Sequence, residues 1–288
     1  MASLAPKVSI CVVTYNQQAY VERCIESILS QKVNFEYEIV IADDHSTDNT
    51  KAILSRYAAQ HPDKIKFISH EKNIGPFKNF VFAHTTARGE YIAHIDGDDY
   101  ALDGKLQTQV DFLDQNPDCN IVWHRMNSVV KDGLFIYEDN YAESGVVYKK
   151  LDIVDVIANI TIGFNSSKMY RSNFEHKDWT DYYELDFPFN VLQIINPNKY
   201  AAFTSDSILG MYRNSIGISV THNYQIKIKI YRWLLQFYKD NLTDRSLITG
   251  KILLQFLSDV KHLKKAAFYG LYALLFSARS FKVKSFLI

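Results

Sequence analysis

The feature that most limits what this chain can fold into is an alternation between strand-length apolar runs and segments of helical periodicity. Lys7-Val8-Ser9-Ile10-Cys11-Val12-Val13 is the first run, and it stops at Thr14-Tyr15-Asn16. Runs of this length without polar alternation suit parallel strands covered on both faces. Tyr20 to Gln31 then brings Tyr20, Val21, Cys24, Ile25, Ile28 and Leu29 round at helical spacing. Glu38-Ile39-Val40-Ile41-Ala42 is a second run, stopped by Asp43-Asp44-His45-Ser46-Thr47-Asp48. Asn49 to His61 returns to the helical period, with Ser46, Thr47 or Asp48 each able to cap it. Ile65 to Ser69 reads as a third strand, Phe77 to Ala87 as a third helix, and Gly89 to Ile95 as a fourth strand. Such alternation predicts right-handed βαβ units and a mostly parallel sheet flanked by helices.

The pattern loosens afterwards. Lys105 to Asn116 is helical and closes at Pro117, and Asn120 to Val130 is apolar and rich in strand formers. Lys131 to Tyr148 is polar and irregular, the profile of a long loop or hairpin. Thr161 to Arg171 is a turn running into a strand, Glu184 to Ile195 a helix-like stretch, and Ile208 to Arg213 a last strand.

The fourth strand ends on Asp96-Gly97-Asp98-Asp99. Two readings stand on this stretch alone. It is a solvated Asp-Gly turn, or it is a set of hard oxygen ligands at a strand's carboxyl end, where open α/β sheets bind ligands. Asp43-Asp44 and Glu184-Leu185-Asp186 are further acidic clusters beside apolar elements. If the first two clusters lie at adjacent strand ends, they share one crevice. The chain has no Walker-type Gly-Lys-Ser/Thr loop and no Gly-x-Gly-x-x-Gly. An EF-hand fails because Gln107 stands where the bidentate glutamate belongs. What is left is a site holding a metal against an anionic ligand such as a nucleoside diphosphate, with a separate carboxylate free to act as a base.

Composition narrows the class further. Hydrophobic residues make up 47% and charged residues 22% of the 288, as in ordinary globular proteins. Three cysteines at unrelated spacings make no disulfide framework and point to a reducing compartment. Met1 to Lys7 has none of the marks of a secretory signal. The net charge of zero hides an asymmetry: Gln225 to Ile288 carries twelve Lys and Arg against three Asp and Glu. That segment is amphipathic, with Tyr231, Trp233, Phe237 and Tyr238 among its basic residues. Its longest uncharged run, Ala266 to Ala278, falls short of the roughly 20 residues needed to span a bilayer. A helix lying in an anionic membrane interface and a helical cap packed on the sheet domain are both open.

Three segments, Val8 to Asn16, Glu38 to Thr50 and Gly89 to Asp99, resemble the successive signatures of family 2 glycosyltransferases with the GT-A fold. The resemblance covers roughly residues 7–220. It implies a Rossmann-like nucleotide-binding half over about 1–100, an acceptor half over about 101–223, and a C-terminal helical region at 224–288. It implies a nucleotide-sugar donor, UDP above others, and Mn²⁺ or Mg²⁺ as cofactor. By resemblance, Thr14 and Tyr15 contact the nucleotide, Asp44 accepts from the base ring, Asp96 bonds the ribose and Asp98 binds the metal, with Asp99 in support. Leu185-Asp186-Phe187-Pro188-Phe189 resembles the segment with the catalytic base, which makes Asp186 the base and Glu184 the second candidate. Met211-Tyr212-Arg213 resembles the last core strand, with Arg213 reaching the diphosphate. Many relatives place a histidine soon after that arginine; here Asn214 and Ser215 follow. Ser166 and Ser167 sit where the acceptor side would be lined.

The expectation is therefore an inverting, metal-dependent hexosyltransferase of polysaccharide biosynthesis. It would use a glycan or polyprenyl-linked acceptor at the inner face of the plasma membrane, as a cytoplasmic, peripheral enzyme. Nucleic acid is not expected as a partner. The alternatives are a catalytically inactive nucleotide-sugar-binding scaffold and nucleic-acid binding through the basic C-terminus.

Overall fold

A computed structural model of the chain describes residues 5–130, 133–135, 147–158, 162–172, 186–196, 198–213 and 229–234. Along the N-terminal third, β1 (Val8–Thr14), α1 (Val21–Leu29), β2 (Tyr37–Asp43), α2 (Thr50–Gln60), β3 (Ile65–Ser69), α3 (Pro76–Thr86) and β4 (Tyr91–Asp96) alternate as the apolar periods require. Then come β5 (Tyr100–Ala101), α4 (Lys105–Gln115), β6 (Cys119–Val130), β7 (Gly133–Phe135), β8 (Tyr148–Leu151) and α5 (Ile153–Ala158). A 3-10 turn at Asn165–Ser167, β9 (Met169–Arg171), α6 (Asp186–Leu192) and β10 (Tyr200–Arg213) follow.

All the strands join one sheet in the order β3-β2-β1-β4-β9-β6-β10-β5, with β7 on β6 and β8 on β10. The β1, β2, β3 and β4 pairings are parallel, as is β6 with β10. β9 runs antiparallel between β4 and β6. The expected mostly parallel sheet is present, with antiparallel insertions in its second half. Every residue of β2 is buried and no residue of β1 is exposed, which is why both read as unbroken apolar runs. Helix α1 buries Val21, Cys24, Ile25 and Ile28, one stripe at helical spacing.

Three local expectations are refined. Of the candidate caps before α2, Asp48 is the one whose carboxylate accepts the Thr50 N–H, at 2.9 Å. Ser46 instead donates its hydroxyl to Asp43. Within the expected loop or hairpin, β7 pairs back on β6 from Val130↔Gly133 to Ser128↔Phe135, so the start of the segment is a hairpin; residues 136–146 lie outside the described set. β10 starts well before Ile208. Its register against β6 shifts between Thr204 and Ile208, where Ser205-Asp206-Ser207 interrupts the apolar pattern, and that bulge hides the first half of the strand.

The chain divides into two compact units. Most of the described residues, including the whole sheet, belong to the first. The second includes residues 157–158, 186–189 and 229–234. In it Phe187 and Trp233 meet edge to face with centroids 5.2 Å apart, and Ile230, Tyr231 and Leu234 are buried. Among the described residues no helix is long and apolar enough to cross a membrane. Residues 266–278 and the basic residues beyond 234 lie outside the described set.

The amino ends of β1, β2 and β4 are locked by a polar knot in which Ser9 and Glu38 are buried and Arg88 is exposed. Ser9 Oγ donates to Glu38 Oε1 at 2.6 Å and accepts the N–H groups of Arg88 and Gly89 at 3.0 and 2.8 Å. Arg88 closes the knot through its own guanidinium, 2.7 Å from Glu38 Oε2. Gly89 passes so close to β1 that a Cβ would lie 2.4 Å from Ser9 N and 2.8 Å from Val8 C, both backbone. Gly89→Ala therefore forces two strands apart and lowers stability by about 2 kcal/mol or more; denaturant unfolding with an unchanged slope and a lower midpoint is the expected result.

Candidate active site

β1 lies between β2 and β4. The chain leaves β1 toward β2 and β3 on one side and later returns to β4 on the other. At such a reversal the loops leaving neighbouring strands part and leave a crevice at their carboxyl ends. Register sets Thr14 beside Asp43 and Val13 beside Asp96, so the three strands end within one residue of each other. The N–H of Asp44 donates to Thr14 O and that of Gly97 to Val13 O, both at 2.9 Å. The two acidic clusters thus flank the same strand, rather than sitting on strands adjacent to each other.

Asp96 to Asp99 is a turn: the Asp99 N–H donates to Asp96 O at 2.9 Å. Glycine at its second position lets the turn lie close to Thr14 and Gln17. A Cβ on Gly97 would lie 2.5 Å from Gln17 Oε1 and 3.0 Å from Thr14 Cβ. The three carboxylates are held differently. Asp96 Oδ1 accepts from His94 Nε2 at 3.1 Å, and the side chain keeps 33% of its surface exposed. Asp99 is buried, with Oδ2 accepting the Ser166 hydroxyl at 2.5 Å and Oδ1 the Arg213 N–H at 2.8 Å. Ser166 Oγ also accepts the Asp96 N–H at 2.9 Å, so this serine ties the two ends of the turn together.

Burial pushes the Asp98 carboxyl up to about 6, with the neighbouring Asp96 charge adding to it and Arg213 and Gln17 only partly offsetting it. Burial likewise raises Asp99 well above the ordinary carboxylate value, helped by Asp96 and Asp98. Burial alone would raise Asp96 too, but His94, Lys168 and Ser166 beside it bring it below the ordinary value. One acid of the cluster is ionised readily and two resist ionisation, as expected where like charges crowd in a poorly solvated place.

The rims of the crevice are cross-tied. Asn16 Oδ1 accepts the Thr47 N–H at 2.8 Å, Asn16 N donates to Ser46 Oγ at 2.9 Å, and Gln17 N donates to Thr50 Oγ1 at 2.8 Å. Asn16 and His45, at φ of 53° and 62°, take left-handed backbone that lets the two loops turn toward each other. Both oxygens of buried Asp44 accept backbone N–H groups, from Ile74 at 2.7 Å and Gly75 at 3.0 Å. Asp44 therefore holds the Asn73–Gly75 turn against the end of β2, whatever else it contacts. Tyr15 is exposed, whereas Thr14 Oγ1 and Gln17 Oε1 are buried with no hydrogen-bond partner among the described residues.

Arg213, at the end of β10, donates from Nε to Asp98 O at 3.2 Å and lays its guanidinium 4.2 Å from the ring centre of Tyr20. Thr14, Tyr15, Asp44, Asp96, Asp98 and Arg213 thus converge on the ends of β1, β2, β4 and β10. Asp186 opens α6, with Pro188 in the first turn. Glu184 lies outside the described residues.

Ser166 and Lys105 are participants in the acidic step that the sequence did not reveal as such. Lys105 and Gln109 fall on the buried stripe of α4 with Leu106, Val110 and Leu113. Their side chains reach the 3-10 turn: Lys105 Nζ donates to Ser166 O at 2.7 Å and Gln109 Nε2 to Ser167 O at 2.9 Å. Lys105 Nζ also meets His124 Nε2 at 2.8 Å, and burial pulls the amine down to about 7 against the opposing charge of Asp99. Two long polar side chains on an otherwise apolar helix face were the available signal.

Residues 9–177 match the model of glycosyl transferase family 2. Chondroitin synthase of Escherichia coli is 31% identical over 172 residues, 56% of this chain and 24% of that protein. EpsE of Bacillus subtilis is 37% identical over 136 residues, 46% of this chain and 45% of that protein. An uncharacterized protein of Mycobacterium tuberculosis is 39% identical over 126 residues, 43% of this chain and 36% of that protein. The matched region spans less than half the length of each of these relatives. Among solved structures, S. aureus TarS 1–349 in complex with UDP-GlcNAc aligns with TM-score 0.62 at 18% identity, over 95% of this chain and 89% of that one. The mannosyltransferase PcManGT from Pyrobaculum calidifontis, in complex with GDP-Man and Mn²⁺, aligns with TM-score 0.55 at 16% identity, over 98% and 77%. These structural likenesses bear on the fold, which is of GT-A type. With more than half of its length matched by the family model, the chain belongs to glycosyl transferase family 2.

Proposed function

We propose that this glycosyltransferase is metal-assisted and inverting, and moves a sugar from a UDP-sugar to a hydroxyl of a glycan or lipid-linked acceptor. The observation that carries the reading is the crowded acid cluster Asp96, Asp98 and Asp99 at the order reversal of the sheet, with Asp98 and Asp99 resisting ionisation. A place where carboxylates crowd without full neutralisation gains from a bound cation. Asp98 offers hard oxygen to a divalent ion that would take its other ligands from phosphate and water, the usual mode of Mg²⁺ and Mn²⁺ beside a diphosphate. Bound there, the ion would take up charge developing on the leaving diphosphate.

The chain's own residues divide the work around it. Thr14 and Tyr15 contact the nucleotide, with the buried, unpartnered Thr14 hydroxyl as one hydrogen-bonding group to be satisfied. Asp44 meets the base while fixing the 73–75 turn, Asp96 bonds the ribose, and Arg213 faces the diphosphate. Asp186 accepts the acceptor's hydroxyl proton as that oxygen bonds the anomeric carbon and the carbon–phosphate oxygen bond breaks on the opposite face, inverting the centre. A carboxylate is a weak base for a sugar hydroxyl, so the effect rests on positioning and on charge that develops in the transition state. Glu184 is the second candidate for this role. The donor class draws support from the UDP-GlcNAc of TarS and the GDP-Man and Mn²⁺ of PcManGT. Peripheral contact with an anionic membrane at the cytoplasmic face belongs to the same proposal and rests on the excess of Lys and Arg after residue 224. Within 229–234 Tyr231 and Trp233 are buried and Arg232 is exposed, so this turn offers charge rather than aromatic rings.

Asp98→Asn is expected to lower sugar transfer, and donor hydrolysis across a panel of nucleotide sugars with Mn²⁺, by at least about a hundredfold; near-normal turnover would sink the metal assignment. Asp186→Asn should abolish transfer while calorimetry shows unchanged UDP affinity. Binding of UDP with no turnover of any donor would favour the inactive scaffold. The raised Asp98 acid also gives a sign for stability. The folded chain binds this proton more tightly than the unfolded chain, whose value is near 3.8, so metal-free protein loses stability as pH rises from about 4 through 6. Metal-free Asp98→Asn is therefore more stable than the parent at pH 7, by on the order of 2 kcal/mol. The difference should fade by pH 4 in thermal melts.

A further inference from the structure

A line of buried hydrogen bonds runs through the interior of the first unit and ends on Asp96. The Tyr170 hydroxyl lies 2.6 Å from His84 Nδ1, His84 Nε2 lies 2.9 Å from His94 Nδ1, and His94 Nε2 lies 3.1 Å from Asp96 Oδ1. The three side chains come from β9, α3 and β4, and all are buried to within 1%. Phe80 stacks on His84 at 3.8 Å, and the Tyr170 ring lies parallel to His84 within 3°. We propose that Tyr170, His84 and His94 are positioning residues that fix the carboxylate of Asp96 for the ribose of the donor. The inference rests on the assignment of Asp96 to the ribose made above.

The atoms determine the direction of the line. A carboxylate can only accept, so Nε2 of His94 carries hydrogen. With both imidazoles neutral, Nδ1 of His94 accepts from His84 Nε2–H, and His84 Nδ1 accepts from the tyrosine hydroxyl, which burial keeps protonated. Each ring is thereby held in one tautomer and one orientation. Apolar side chains would fill the same space without the cost of burying three polar groups. A chain in which every link is made instead behaves as a rigid strut. Its last link grips one oxygen of the acid whose side chain keeps a third of its surface exposed. With Oδ1 held by His94 and Oδ2 3.5 Å from the Ser166 hydroxyl, the carboxylate is kept in one orientation, with its exposed edge toward the ribose. A metal-ligating histidine held by a second carboxylate follows the same logic with the roles exchanged.

The test is calorimetric titration of the full chain, with Mn²⁺ present, using UDP and GDP and taking the tighter binder, with inorganic pyrophosphate as the probe that lacks a ribose. His94→Phe keeps an aromatic ring in place and should weaken nucleotide binding about five- to tenfold, the scale of one ordinary hydrogen bond. Pyrophosphate affinity should not change. In an Asp96→Asn background the same substitution should add nothing, because its effect passes through that carboxylate. Tyr170→Phe, which deletes a single oxygen at the far end, should act in the same sense by about twofold. It carries the test by the same comparison if His94→Phe fails to fold. Unchanged nucleotide affinity in these variants, an equal loss for pyrophosphate, or losses additive with Asp96→Asn would each overturn the relay. Should Asp96→Asn bind nucleotide as the parent does, the ribose assignment falls and the relay with it, while the Asp98 and Asp186 tests stand apart. A parent chain that binds neither nucleotide overturns both the nucleotide-sugar reading and the relay.

Discussion

The constraint on which the rest depends is the parallel register of β1 between β2 and β4. It brings Thr14, Asp43 and Asp96 within one residue of the same level, and the loops of the crevice leave from there. The register is secured at the opposite end of the strands, where the Ser9, Glu38 and Arg88 knot and the close passage of Gly89 leave no room for a shift. A slip of one residue would turn every side chain of β4 to the other face. His94 and Asp96 would then leave the side on which they meet. Packing far from the crevice therefore decides what the crevice can hold.

Within the acidic turn, Asp99 is held by neutral donors. A serine hydroxyl and the Arg213 backbone N–H meet it, while His94 and Lys168 act on Asp96 and the nearby amine of Lys105 is turned to His124 and a carbonyl. Neutral donors orient a carboxylate without cancelling its charge. The raised Asp98 and Asp99 values record burial first and then the crowding of like charges, acids that the surrounding residues leave poorly compensated. That is unfavourable for the empty protein and favourable for a protein that binds cation and diphosphate together. The raised cluster, the glycine that lets the turn touch β1, and the crossed loops serve one arrangement.

Much of this was legible before the fold was known. Unbroken apolar runs marked β1 and β2 because both faces of those strands are covered, and the polar residues that stop the runs are those that reach the crevice. Asp96-Gly97-Asp98-Asp99 proved to be a turn at a strand's carboxyl end, as the two readings of the stretch separately require. The missed features share a cause. Ser166 lies seventy positions from Asp96 and was expected to line the acceptor side, yet it is buried and joins Asp96 to Asp99. His84, His94 and Tyr170 each look like ordinary members of a helix or strand, and only the crossing of three elements makes them a line. β10 was half hidden because a polar bulge breaks the alternation on which strand reading depends.

By itself the sequence determined the alternation of elements, their apolar faces, and the chemistry gathered at the strand ends, because these follow from local periodicity and from residue types next to one another in the chain. The tertiary structure alone decided that the order of strands reverses at β1, that two acidic clusters flank one strand, and that a tyrosine and two histidines end on Asp96. Those facts depend on which strand lies beside which, a choice made by the burial of whole faces against each other. No stretch of a few residues contains it.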